Sequence, residues 1–210
     1  MPTPLLTRDE LLSRLCETFR RHGYEGASMA RIAAATGLGK ASLYHYFPEG
    51  KQQMAAAVLD WDIAWFDANV FGPLKAVHPP RQRIVSMLET LGSYYEKGQC
   101  ACLPAIFSLG AERDLFETAL QDFYQRWQDA LTQTLTDSGL ARDIARRRAY
   151  DALERIQGAL VLARGTRDEH LFANMAQVLP DQLLAGAGRS TVWTTRLPSI
   201  PARPAITRVG

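Results

Sequence analysis

The chain has 210 residues, 47% of them hydrophobic and 22% charged, with a formal net charge of only +2. That composition is ordinary for a folded globular protein and excludes a disordered or collagen-like chain; no apolar run reaches the roughly 18 residues of a membrane span. Three cysteines, an odd number with Cys100 and Cys102 only two apart, argue against a disulfide framework and for reduced thiols. The opening MPTPLLTRDELL has an acidic pair where a secretory leader would be apolar, so a cytoplasmic protein is expected. Charge is unevenly spread. Residues 1–51 hold seven basic and five acidic side chains, residues 52–186 thirteen and seventeen, and residues 187–210 four and none.

The pattern is helical throughout, and an all-α fold is predicted. Thr7-Arg8-Asp9-Glu10 reads as a capping box, followed by Leu11, Leu12, Leu15 and Phe19 at helical spacing and a stop at Gly23. A second helix starts at Ser28, with Ile32 and Ala33 on one face, and breaks at Gly37-Leu38-Gly39. A short segment runs from Lys40 to Phe47, and Pro48–Gly50 separates it from a longer helix over about 51–70. Pro79-Pro80 opens the next helix, which stops near Gly98, since proline suits a first turn but not an interior. A short helix with Pro104 is expected within 101–112. Leu120, Phe123, Trp127 and Leu131 mark a helix ending at Ser138-Gly139. Two more follow, near 142–164 and 167–184, the second opened by a further capping box, Thr166-Arg167-Asp168-Glu169. From residue 187 onward Gly, Ser, Thr and Pro dominate, so 187–210 reads as a flexible basic tail.

The strongest signal is ASMARIAAATGLGKASLYHYF, residues 27–47. Two short helices crossing steeply around a tight turn need a small residue where they touch, and Ala33 fits. They also need a residue tolerant of positive φ in the turn, Gly37, and an apolar anchor on the second helix, Leu43. This is the spacing of a helix-turn-helix. The surrounding stretch GYEGASMARIAAATGLGKASLYHYFPEGKQQM resembles the DNA-binding domain of the TetR family. The resemblance is carried by Gly23-Tyr24, Ser28, Ile32, Leu43-Tyr44, Phe47 and Lys51, and covers about residues 7–60.

Face geometry assigns roles. Leu43 and Phe47, four apart, point into the core. Lys40, Ala41, Tyr44 and His45 lie on other faces, where the second helix would enter the major groove of double-stranded operator DNA. Lys40 can reach a guanine or a phosphate, and Ala41 a thymine methyl. Ser42, Tyr44, His45 and Tyr46 carry groups that bind phosphate oxygens, although Tyr44 and Tyr46 also read as packing aromatics. Ser28 should cap its helix beside a phosphate. Lys51 resembles the family's phosphate-binding lysine, with a solvated surface charge as its other reading. Gly39 stands where many members have Ser or Thr, so a hydroxyl cap is missing.

The resemblance implies an N-terminal three-helix domain, 1–50, and a larger helical ligand-binding and dimerisation domain, 51–186. Trp61, Trp65, Tyr94, Phe107, Phe123 and Trp127 are candidates to line a pocket for a small hydrophobic effector, or else plain core, with Gln157 a candidate polar contact. The last two helices would pair with their copies in a homodimer reading a near-palindromic operator. No cofactor or metal site is predicted: Cys100-Ala101-Cys102 lacks completing ligands, and the four histidines are scattered. No constellation for catalysis is present, so a regulator, not an enzyme, is expected. The function implied is a repressor released by effector; the alternative is a constitutive or partner-controlled DNA binder.

Overall fold

A computed structural model describes residues 6–187, and the expected tail lies almost wholly outside them. The described residues are helical, with no strand among them. Thr7 caps α1 (Arg8–Gly26) as expected, its hydroxyl accepting from the Glu10 amide and the Glu10 carboxylate accepting from the Thr7 amide. Gly23 breaks the helix as expected: at φ 68° it leaves helical geometry and kinks α1, and a further short turn carries the chain to Gly26.

α2 (Met29–Thr36) and α3 (Lys40–Tyr46) form the steep pair on α1. Their joint is built by three local devices. Gly37 closes α2 in the left-handed conformation at φ 72°. The Thr36 hydroxyl donates to the Ile32 carbonyl and accepts from the Leu38 amide. The Arg14 guanidinium reaches across from α1 to the Thr36 carbonyl at 3.1 Å. Ile32, Leu43 and Phe47 are buried in the same apolar core as Leu11, Leu15 and Phe19, and that core runs on into the body, where Phe19 packs on Phe107.

The body begins with α4 (Lys51–Phe66). Its helical path continues through a widened π turn, Asp67–Phe71, into a last turn, α5 (Gly72–Leu74). The widening has a local cause. Pro73 lacks an amide proton and its ring would collide with the carbonyl four residues back, so the preceding turn opens. α6 (Pro80–Tyr94) ends four residues earlier than expected, and a 3-10 turn, Glu96–Gly98, follows it. α7 is short (Leu103–Phe107), α8 (Glu117–Asp137) and α9 (Arg142–Thr166) pack side by side, and α10 (His170–Leu184) lies across α9 and α6.

The second capping box does not form. α9 runs on to Thr166, whose hydroxyl donates back to the Leu162 carbonyl, and Arg167 makes the turn at φ 58°. Asp168 then caps α10 by accepting from the His170 amide at 2.9 Å.

Candidate nucleic-acid interface and sensor grooves

Six of the seven residues of α3 are exposed: Lys40, Ala41, Ser42, Tyr44, His45 and Tyr46. Leu43 alone is buried, at 0% exposure, so one apolar anchor holds the helix and every expected DNA-facing side chain on it projects outward. Ser28 caps α2, its Oγ accepting from the Arg31 amide at 3.3 Å. Gly39 occupies the N-cap of α3 in extended backbone with no side-chain cap. Tyr44 lies over the joint between head and body: a Cβ on Gly50 would sit 3.3 Å from its ring, and Gly50 has φ 70°.

Lys51 is engaged within the protein. Its ammonium donates to the Tyr24 carbonyl at 3.1 Å, lies 4.2 Å from the Tyr24 ring centre and is 3.6 Å from the Glu25 carboxylate. Arg31, not singled out from the sequence, is exposed at the start of α2, held there by a 2.6 Å bond to the Gly26 carbonyl.

In the body the aromatic candidates separate. Phe107, Phe123 and Trp127 are fully buried and serve as core: Phe123 and Trp127 cluster with Phe66 and Phe71, and Phe107 packs on Phe19, Tyr24 and Phe116. Gln157 borders an open groove of about 1040 Å³ between α8 and α9, together with Tyr124, Gln128, Tyr150 and Leu153. Its amide donates to Cys102 Sγ at 3.5 Å. Gln128, only 4% exposed, leaves its Nε2 without a partner there.

Trp61 and Tyr94 border a second concavity, about 600 Å³, between α1 and the body. Trp65 stacks on Tyr94 with ring centres 3.9 Å apart. Beside it lies an ion pair that sequence reading missed, Arg20 with Asp62 at 2.8 Å, the carboxylate wholly buried. Tyr94 Oη donates to the same carboxylate oxygen and accepts from Arg20. Burial raises the Asp62 pKa, although Arg20 and the Tyr94 hydroxyl pull it down. Burial, the largest single influence on Arg20, opposes its charge, but Asp62 together with the neighbouring Cys16, Tyr94 and Cys100 shifts the net balance upward and the guanidinium stays ionised. Removing one partner of such a pair typically costs about 3–5 kcal/mol, because the other is left charged and buried. A hint existed in the sequence: Asp60 and Asp62 interrupt an otherwise apolar run, AAAVLDWDIAWF, and of the two only Asp62 is buried.

All three cysteines gather near this network. Burial pushes Cys16 up to about 12 and raises Cys102 as well, so neither is poised as a thiolate. Among the described residues no group of three His, Cys, Asp or Glu side chains is placed to hold a metal, and no helix is long and apolar enough to cross a membrane.

Two family models match the chain: bacterial regulatory proteins of the tetR family over residues 11–58, and the C-terminal domain of LmrA/YxaF-like transcriptional regulators over 80–178. The chain belongs to the TetR family. It is 22% identical over 181 residues to the HTH-type transcriptional regulator LmrA of Bacillus subtilis, covering 84% of this chain and 96% of that one. Over 59 residues it is 41% identical to the HTH-type transcriptional repressor DrrR1 of Streptomyces coeruleorubidus, covering 28% of this chain and 22% of that one. The fold is similar to that of a TetR transcriptional regulator from Legionella pneumophila, with a TM-score of 0.73 and 20% identity over 86% of this chain and 99% of the other. TetR-family proteins are transcriptional regulators, so this one is a DNA-binding regulator and not an enzyme.

Proposed function

We propose that the protein is a homodimeric repressor that leaves its operator when a small molecule binds the body. The observation that carries the reading is α3, with Leu43 sealed into the head and Lys40, Ala41, Ser42, Tyr44, His45 and Tyr46 exposed along it. Lys40 and Ala41 are assigned to base edges. Ser42, Tyr44, His45, Tyr46 and the Ser28 cap are assigned to phosphates, which fix register and not sequence. Lys51 contributes to phosphate binding only by leaving Tyr24 and Glu25, so its role is secondary.

Support for dimerisation comes from apolar side chains left facing water on α9 and α10: Val161, Leu162 and Val178 are each at least half exposed. A two-fold pairing of these helices would cover them and set two heads against successive major grooves. The groove between α8 and α9 supports an effector site, because its size suits a small organic molecule and the amide side chains Gln128 and Gln157 border it. An effector that favours another spacing of the heads weakens DNA binding in proportion to its preference between the two states. One observation favours the constitutive or partner-controlled alternative: Phe107, Phe123 and Trp127 fill the core instead of enclosing a cavity. Thermal-shift screening against small organic molecules separates the two.

The deciding experiment is a gel shift on duplex DNA from the region upstream of the protein's own gene. Wild type should shift a fragment at low salt, and Tyr44→Ala should weaken binding at least tenfold while keeping its thermal midpoint. Affinity should fall steeply with salt, as counterions are released from each contacted phosphate. A folded wild type that shifts no upstream fragment overturns the reading.

A further inference from the structure

α1 belongs to both halves of the molecule. At Arg14 it holds the end of α2 through the Thr36 carbonyl, at 3.1 Å. Six residues further on, about 9 Å along the axis, Arg20 enters the body and meets Asp62 of α4 and Tyr94 at the end of α6. Three helices that are far apart in sequence thus converge on one carboxylate oxygen. The guanidinium also lies 4.4 Å from the Tyr94 ring centre, and Trp65 stacks on that ring. A second contact of the same two helices, Trp61 Nε1 donating to Asp9 at 3.3 Å, is exposed and weaker.

The network is incomplete as a purely structural device. Arg20 Nε and Asp62 Oδ2 are buried with no hydrogen-bond partner, so the pair sits in its place at a cost that a well-packed apolar contact would avoid. Polar groups of this kind specify one arrangement over its neighbours, because sliding α1 against α4 would strand both charges. The network is also reachable: Arg20 and Tyr94 border the concavity of about 600 Å³. We propose that Arg20, Asp62 and Tyr94 form a positioning clasp that fixes the angle between the DNA-reading head and the body, and that opening it releases operator DNA. The second half of this statement rests on the regulator reading above; the first half does not.

The test uses the full-length protein and two mild variants, Tyr94→Phe and Arg20→Lys, with Asp137→Asn as a control that breaks an ion pair elsewhere in the body. Amide hydrogen exchange needs no DNA. In both clasp variants it should rise about tenfold in residues 11–22 and 55–66, while α2, α3, α8 and α9 keep their protection. The control should leave 11–22 as in wild type. Fluorescence anisotropy with labelled upstream and scrambled duplexes gives the second readout. Affinity for the upstream duplex should fall about tenfold, within the usual range of coupling between sites, and affinity for the scrambled duplex should not change, since α3 is intact. Exchange that is unchanged in both variants, or raised evenly over the whole molecule, overturns the clasp. Upstream affinity within twofold of wild type, with exchange raised as expected, overturns its link to DNA release. If exchange localises as expected but wild type binds no duplex, the clasp stands and the regulator reading falls.

Discussion

Single residues decide how the reading helix is presented. Gly39 has N-cap backbone geometry but no hydroxyl, and a Cβ there would meet nothing within 4 Å. Gly39→Ser should therefore be accepted without strain and supply the missing cap. Its effect on stability should be small, a gain of a few tenths of a kcal/mol, because glycine is itself a tolerable N-cap. The larger effect should be on DNA affinity, which should rise several-fold at low salt as a hydroxyl is added beside the phosphates. A chemical denaturation curve checks the first outcome, and anisotropy at two salt concentrations checks the second. The residues of the head were legible in the sequence because their constraints are local. Gly37 must adopt positive φ, Ser28 must cap, and Leu43 and Phe47 must share a face; each follows from spacing alone. What Lys51 does was not legible, since its partners Tyr24 and Glu25 are set by how α1 bends at Gly23.

Between elements, one polar joint in the body is open to test. Arg83 on α6 is nearly buried; it donates to the Leu74 carbonyl that ends α5 and to Asp137 at the end of α8. The Arg83 hydrogen bond, followed by one from Gln133, holds the Asp137 carboxyl below its ordinary 3.8. A carboxyl lowered in the folded state stabilises above its unfolded pKa, and that contribution is lost as pH falls through the folded value. Asp137→Asn should thus cost about 1 kcal/mol at neutral pH, a figure discounted because the carboxylate is 38% exposed. The deficit should shrink in acid as the pH falls below 3.8 and through the lowered folded value, which urea denaturation at neutral and acid pH measures. Element boundaries show where sequence reading stops. Thr166-Arg167-Asp168-Glu169 has the spacing of a capping box, but α9 consumes Thr166 and the cap passes to Asp168. Spacing signals where a helix can start, and packing of α9 against α8 and α10 decides how far it runs. The aromatic residues tell the same lesson: Trp127 and Trp61 look alike in a helical pattern, and only the tertiary arrangement buries one and leaves the other beside a crevice.

For the molecule as a whole, the order of helices could be read from capping, glycine and proline signals, while the division into head and body was implied by the family resemblance. The contacts joining the two halves could not, because residues 20, 62 and 94 come together only through folding. Assembly is the remaining property at this scale. Val161 and Leu162 are adjacent on α9 and are 65% and 57% exposed, apolar surface that the proposed pairing of two copies would cover. In the homodimer proposed above, Leu162→Glu would set two like charges against each other across the two-fold axis, and the variant should sediment as a monomer. Sedimentation equilibrium reads this directly, and thermal stability of the monomer should change little because Leu162 contributes nothing to the protomer core. A variant that remains dimeric places the interface elsewhere.

Gly50 ties several of these scales together. It sits at the hinge between head and body with a backbone conformation that side chains resist, and the ring of Tyr44 lies against it. Any larger residue would have to displace that ring while also straining the hinge. Mutational genetics on this regulator should then score position 50 among the determinants of operator recognition, although it is buried and has no side chain to offer DNA. Selection on what the protein reads acts, in part, on a residue that does no reading.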